Sequence, residues 1–168
     1  GQIIRVEDPS RIQVNAYDAA GNVVRQDSTI KLHNWTPTGD QAPFTWRTTW
    51  QFDGLGRLAS MVYPDSETLT YGYDSGAQLS SITGTENGYQ LVIVGVDING
   101  LPVYGQVPHT WNYSYLNDRQ YDPFLRKVED VDGNGVVTTL TYDQQTQWLT
   151  RQLSISPNRD LQGNPVAY

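Results

Sequence analysis

Asp130-Val131-Asp132-Gly133-Asn134-Gly135 matches the first six positions of a calcium loop. Asp130, Asp132 and Asn134 place side-chain oxygens at alternate positions, and glycine permits the sharp turn between them. The bidentate glutamate such a loop needs at its twelfth position is absent, because Thr141 stands there. The flanks read as strands rather than helices, and Asp, Asn and Gly are also what a hairpin turn requires. The stretch is therefore read as a turn, with calcium the weaker alternative. Asp53-Gly54-Leu55-Gly56-Arg57 contains G-x-G, but a dinucleotide site needs a third glycine and a helix opening there. No serine sits in a G-x-S-x-G elbow. No pair of carboxylates is singled out for acid–base work on a glycosidic bond. Cysteine is absent, and the two histidines, His33 and His109, are far apart, so thiolate and histidine-rich metal sites are not expected. Neither a catalytic residue nor a cofactor is expected. Flat aromatic rings stack on sugars, and Trp35 and Trp111, beside loop signals, are the carbohydrate candidates; the other tryptophans are read as sheet filling.

The elements that position these residues are strands. Apolar residues alternate in Ile12–Tyr17 and Thr68–Tyr73, and with a blurred face in Val136–Tyr142 and Trp148–Ile155. No window sustains a helical period. β-Branched and aromatic residues suit a pleated surface, so the chain is expected to be all-β, built of short antiparallel hairpins. Loops are expected near Thr36–Phe44 and Gly105–Asn112. Asn99-Gly100 predicts a type I′ hairpin turn. At 168 residues the chain is one domain or a piece of a larger one, long enough to bury a core. The net charge of −7 argues against a nucleic-acid partner or an anionic membrane surface. No apolar run is long enough for a transmembrane helix, and no signal peptide is visible in this segment.

An aromatic-Asp pair recurs at Tyr17-Asp18, Phe52-Asp53, Tyr73-Asp74, Tyr121-Asp122 and Tyr142-Asp143. Two spacings are equal, 73 − 52 = 21 and 142 − 121 = 21; the others, 35 and 48, hold insertions or degenerate copies. The residue four past each Asp is polar: Asn22, Arg57, Gln78, Arg126 and Gln147. A strand-turn-strand unit explains the pattern. The tyrosine ends a strand and lays its ring on the sheet, its hydroxyl reaching a polar partner. The Asp caps the turn, and a glycine closes it in the left-handed region. That glycine is Gly21 and Gly56 in the first two copies. It is displaced to Gly76 in the third and replaced by Leu125 and Thr146 in the last two, so tight turns are not expected there. Arg57 and Arg126 are expected to form a cross-strand ladder with acidic residues.

Tyr17-Asp18-Ala19-Ala20-Gly21-Asn22-Val23 and Phe52-Asp53-Gly54-Leu55-Gly56-Arg57-Leu58 resemble the Y-D-x-x-G-R/N-L/V unit of the YD-repeat, or rearrangement-hotspot (RHS), family. Gly133–Asp143 is similar to its G-N-G-x-x-T-x-x-x-Y-D form, typical of repeats in the shell subunits of bacterial insecticidal toxin complexes. The motifs fall near 17–26, 52–63, 71–84, 121–128 and 142–155, within a single YD-repeat segment spanning 1–168. The resemblance implies a spiralling antiparallel sheet, part of a hollow shell that encloses a toxic C-terminal polypeptide. Teneurins carry related shells. The family's self-cleavage box is not present in these residues.

The resemblance thus implies a structural segment of a secreted or cell-surface bacterial toxin, not an enzyme. Its partners would be neighbouring repeats of the parent chain, self-association through β edges, and the enclosed toxin polypeptide. The alternative is a β module that binds glycans or a cell surface through exposed Trp and Tyr.

Overall fold

The computed structural model describes residues 1–31, 44–159 and 165–167, with side chains described as far as residue 157. There is no helix among them. The strands are β1 (Arg5–Glu7), β2 (Arg11–Tyr17), β3 (Val23–Ile30), β4 (Phe44–Phe52), β5 (Leu58–Val62), β6 (Thr68–Tyr73), β7 (Leu79–Val96), β8 (Pro102–Tyr121), β9 (Lys127–Asp132), β10 (Val137–Tyr142), β11 (Leu149–Arg159) and β12 (Pro165–Ala167). The all-β, antiparallel expectation holds.

The chain divides into two units, Gly1–Thr68 and Leu69–Tyr168. In the first, β1 to β5 follow one another as a meander, with registers such as Glu7↔Ile12, Asp27↔Arg47 and Trp50↔Met61. In the second, β7 to β12 do the same, β6 leading into β7. Strand order is chain order in each, because every described connection is a tight hairpin and a short link joins antiparallel neighbours.

Two expectations need correction. Gly105–Asn112 is not a loop. It lies inside the 20-residue β8, which pairs with the 18-residue β7 from Ile82↔Leu116 to Val96↔Pro102. Its glycine, proline and asparagine sit in a strand whose ladder with β7 is long enough to carry them. Nor do the described residues form a sizeable core. Among them only Leu69 and Leu116 are buried apolar residues, at 8% and 4% exposure. The strands of each unit form one layer, so an apolar side chain packs only on its neighbours within the sheet and keeps much of its surface open. The expected loop at Thr36–Phe44 falls outside the described residues except for Phe44, which opens β4.

Candidate functional site

The aromatic-Asp turns share one backbone geometry. The N–H of Asp18, Asp53, Asp74 and Asp122 donates to the carbonyl four residues on, at 2.8–3.0 Å. The N–H three residues on donates back to the Asp carbonyl, at 2.9–3.2 Å. That is a type I turn followed by one left-handed residue, the three-residue hairpin loop. Glycine takes the left-handed place at Gly21 (φ 94°) and Gly56 (φ 77°). Ala77 (φ 64°) and Leu125 (φ 62°) take it elsewhere, so the turn stays tight without glycine, and Gly76 is not the closing residue. The turn after Asp143 holds one more residue. Its N–H reaches the Trp148 carbonyl, and Gln147, not Thr146, has positive φ (63°). The pairing slips by one residue at Tyr17, Phe52, Tyr121 and Tyr142, so each aromatic sits at a bulge.

Three more turns of this kind went uncounted in the repeat. Tyr63, Asp97 and Asp132 occupy the Asp position, with Ser66, Gly100 and Gly135 left-handed. Asn99 is not left-handed, so the type I′ turn expected at Asn99-Gly100 is replaced by the same type I turn; Asp97 Oδ1, by accepting the N–H of Asn99 and Leu101, selects it. The available signal was Asp with Gly three residues on, at 97 and 132. The aromatic that marks a copy is missing, because Val96 and Val131 precede those residues. Turn starts at 53, 63 and 74, and again at 122, 132 and 143, show that the 21-residue period is two hairpins of 10 and 11 residues. Successive hairpins of a meander turn at opposite ends. In the first unit the motifs at 18 and 53 therefore share one end of the sheet, and in the second those at 74, 122 and 143 do.

Each motif carboxylate caps its own turn. Asp53 Oδ1 accepts the N–H of Leu55 and Arg57; Asp122 Oδ1 accepts those of Phe124 and Arg126. The second oxygen takes the side chain four residues on: Asn22 Nδ2 at 3.0 Å, Arg57 Nε at 2.8 Å and Arg126 Nε at 2.7 Å. This corrects the cross-strand ladder expected for Arg57 and Arg126, whose acidic partner is the Asp of their own turn. True cross-strand pairs occur instead at Arg47–Asp27 and Arg119–Asp130. The Arg126 side chain holds Asp122 below the usual carboxylate range, as the Arg57 backbone N–H does Asp53. The Asn22 side chain acts on Asp18, and the Thr146 backbone N–H on Asp143, in the same direction.

Neighbouring motif ends are stapled together. The Tyr121 hydroxyl donates to the Leu79 carbonyl at 3.1 Å, and that of Tyr142 to the Lys127 carbonyl at 2.9 Å. Leu79 and Lys127 each lie five past the Asp of the preceding motif, Asp74 and Asp122. The Tyr17 hydroxyl likewise reaches the Ile3 carbonyl at 2.8 Å. Arg126 adds a second tie: its guanidinium lies 4.4 Å from the Tyr142 ring centre, and its Nη1 donates to Gln147 Oε1. The ties hold hairpins at a fixed spacing, while the carboxylates are occupied in capping their own turns.

In the calcium-loop stretch, Asp130 lies on β9, 7% exposed, facing Arg119 (2.6 Å) and Lys127 (2.6 Å). Burial pushes its carboxyl up, but the bonds from Arg119 and Lys127 outweigh burial and hold it down. Asp132 opens the hairpin turn, and Asn134 Oδ1 accepts the Val136 N–H. A cation shared by all three would have to draw Asp130 from two cationic side chains. No cluster of three His, Cys, Asp or Glu suited to a metal occurs among the described residues. Trp111 is half-buried on β8, its ring edge-on to His109 at 4.7 Å and lying where a side chain on Gly88 would clash. Trp35 lies outside the described residues.

No family model and no curated protein matches the sequence. Solved structures match its fold. A chain in the crystal structure of TcdB2-TccC3-Cdc42 aligns with a TM-score of 0.64 at 20% identity, covering 99% of this chain and 8% of that one. A chain in a Photorhabdus luminescens Tc holotoxin pore aligns with a TM-score of 0.64 at 19% identity, covering 100% of this chain and 8% of its own length. The crystal structure of TcdB2-TccC3 aligns at 0.63 and 20% identity. The fold of this chain is thus that of a stretch of these toxin-complex chains, of whose length it spans less than a tenth.

Proposed function

We propose that the chain is a YD-repeat wall segment of a secreted bacterial toxin shell, which encloses a toxic C-terminal polypeptide by mechanical enclosure and without a chemical step of its own. The observation that carries this reading is the stapled motif end. Tyrosine hydroxyls and Arg126 tie the motif turns at 74, 122 and 143 to one another, which is what a continuous wall needs and a compact binding module does not. The likeness to toxin-complex chains over 99% of the sequence supports it. In this role the sheet needs no thick core, since a wall has two surfaces and draws its cohesion from ladders and staples. The proposed partners are adjoining repeats and the enclosed polypeptide, and the proposed setting is outside the producing cell.

The test is protease protection in the intact parent protein. The C-terminal polypeptide should resist digestion inside the parent and be degraded when expressed alone. Equal digestion in both settings would reject enclosure. A native product no longer than this segment would reject it too.

A further inference from the structure

Gly1-Gln2-Ile3 repeats the second half of the aromatic-Asp motif. The places three, four and five past the Asp are Gly21-Asn22-Val23 in one copy and Gly56-Arg57-Leu58 in the next. The staples put Ile3 at the last of these places. The hydroxyls of Tyr121 and Tyr142 end on the carbonyl five past the Asp of the preceding motif, and the Tyr17 hydroxyl ends on that of Ile3. The spacing agrees once the intervening turns are compared. Tyr142 and Lys127 are 15 residues apart, across a turn in which the Asp132 N–H reaches the carbonyl four residues on. Tyr17 and Ile3 are 14 apart, across a turn in which the Asp8 N–H reaches only three on, to Arg11. One residue fewer in the turn accounts for one fewer between the staple ends. A second tie follows the same rule. Arg126, four past its Asp, donates to Gln147, the left-handed residue of the next motif turn. Gln2 Nε2 lies 3.3 Å from where a Cβ on Gly21, the left-handed residue of the Asp18 turn, would stand.

We infer that the open edge of β1 is the seat of one further strand, the stretch of the parent chain immediately ahead of Gly1, and that this strand carries an aromatic-Asp pair. Phase fixes where the pair stands. Ile3 is five past the Asp, so the Asp is the third residue ahead of Gly1 and the aromatic the fourth. Register is fixed as well. The motif aromatic pairs with the residue six on, as in Tyr17↔Val23, Phe52↔Leu58 and Tyr121↔Lys127, so the new aromatic stands opposite Ile3. In those copies Val23, Leu58 and Lys127 are half-buried, whereas Ile3 is 61% exposed. The backbone of β1 is set for the same pairing. Ile4 accepts the Asn15 N–H and Asp8 donates to Arg11, so both face β2. Bonding sides alternate along a strand, which turns the N–H groups of Arg5 and Glu7 to the open edge. A second copy of this chain does not fit the seat. Gly1 and Gln2 close the turn, so the residues that open it must be covalently joined to Gly1. The inference rests on that part of the proposed function which makes the chain a segment of a longer one, and does not use enclosure.

The encoding sequence of the parent and hydrogen exchange test it. The sequence should show Tyr or Phe four residues ahead of Gly1 and Asp three ahead. In the 168-residue chain the Arg5 and Glu7 amides should exchange as fast as in an unstructured peptide. In the intact parent they should exchange about a hundredfold more slowly, because a paired amide must wait for the ladder to open. The amides of β3, which has a neighbour on each side, should be protected in both molecules. Residues of other types at the two places would overturn the inference. So would Arg5 and Glu7 amides that stay fast in the parent while β3 is protected. Digestion of the parent's C-terminal polypeptide bears on enclosure alone. A parent that fails to protect it, yet carries the pair and slows Arg5 and Glu7, loses the shell reading and keeps this one.

Discussion

Tyr142 does two separable things. Its hydroxyl caps the Lys127 carbonyl, and its ring lies against the Arg126 guanidinium. Tyr142→Phe removes the first alone and should cost about 0.5–1.5 kcal/mol. Tyr142→Ala removes both, but the ring is only half-buried, so the cost should stay below the ~3–5 kcal/mol of a core aromatic. Urea titration of the two variants checks the order. The motif carboxyls make a pH prediction. Asp18, Asp53, Asp122 and Asp143 sit below their ordinary value in the folded chain. Folding therefore favours their ionised form. That stability is fully present above the unfolded Asp value of about 3.9 and is lost as pH falls through the lower folded values. The urea midpoint should be flat near neutrality and fall in acid below about pH 4–5, and Asp53→Asn with Asp122→Asn should flatten the acid limb.

At the scale of the turn, the left-handed residue decides the sign of a substitution. Gly56→Ala should destabilise by about 1 kcal/mol, because an L-residue meets its carbonyl there. Leu125→Gly and Ala77→Gly should relieve the same strain at φ 62° and 64°. Part of that gain is offset by the greater freedom of glycine in the unfolded chain. Thermal melts of the three variants should move in opposite directions. These turns also show what a sequence makes legible. The strands were readable because β-branched and aromatic residues alternate, and the Asp was readable because its capping role is local. The partner of Arg126 was misassigned because a charge four residues away, across a tight turn, looks no different in sequence from one across a ladder. Leu125 concealed a tight turn because two backbone hydrogen bonds and the Asp122 cap hold it left-handed without glycine. The Tyr121–Leu79 staple spans 42 positions and ends on a carbonyl, which no side-chain pattern reports.

For the molecule as a whole, the single layer within each unit has a calorimetric signature. With only Leu69 and Leu116 buried among the described apolar residues, unfolding exposes less new hydrocarbon than it does in a packed globule. The heat-capacity change should fall below the norm of about 12–15 cal/mol/K per residue, and scanning calorimetry measures it directly. The staples carry a further consequence. From Tyr73 to Tyr121 the chain runs 48 residues instead of 21, yet Tyr121 still finds the Leu79 carbonyl, because all 48 − 21 = 27 extra residues were let out at the Asp97 end. One border of the sheet behaves as a selvedge, straight and tied off, and the other as a hem that can be lengthened. Two residues added to each strand beside Asp97 should leave the melting temperature nearly unchanged, whereas one residue added between Asp122 and Arg126 should lower it. Length, and whatever a lengthened hairpin contacts, can therefore vary along the hem in evolution while the stitching on the opposite border stays in phase.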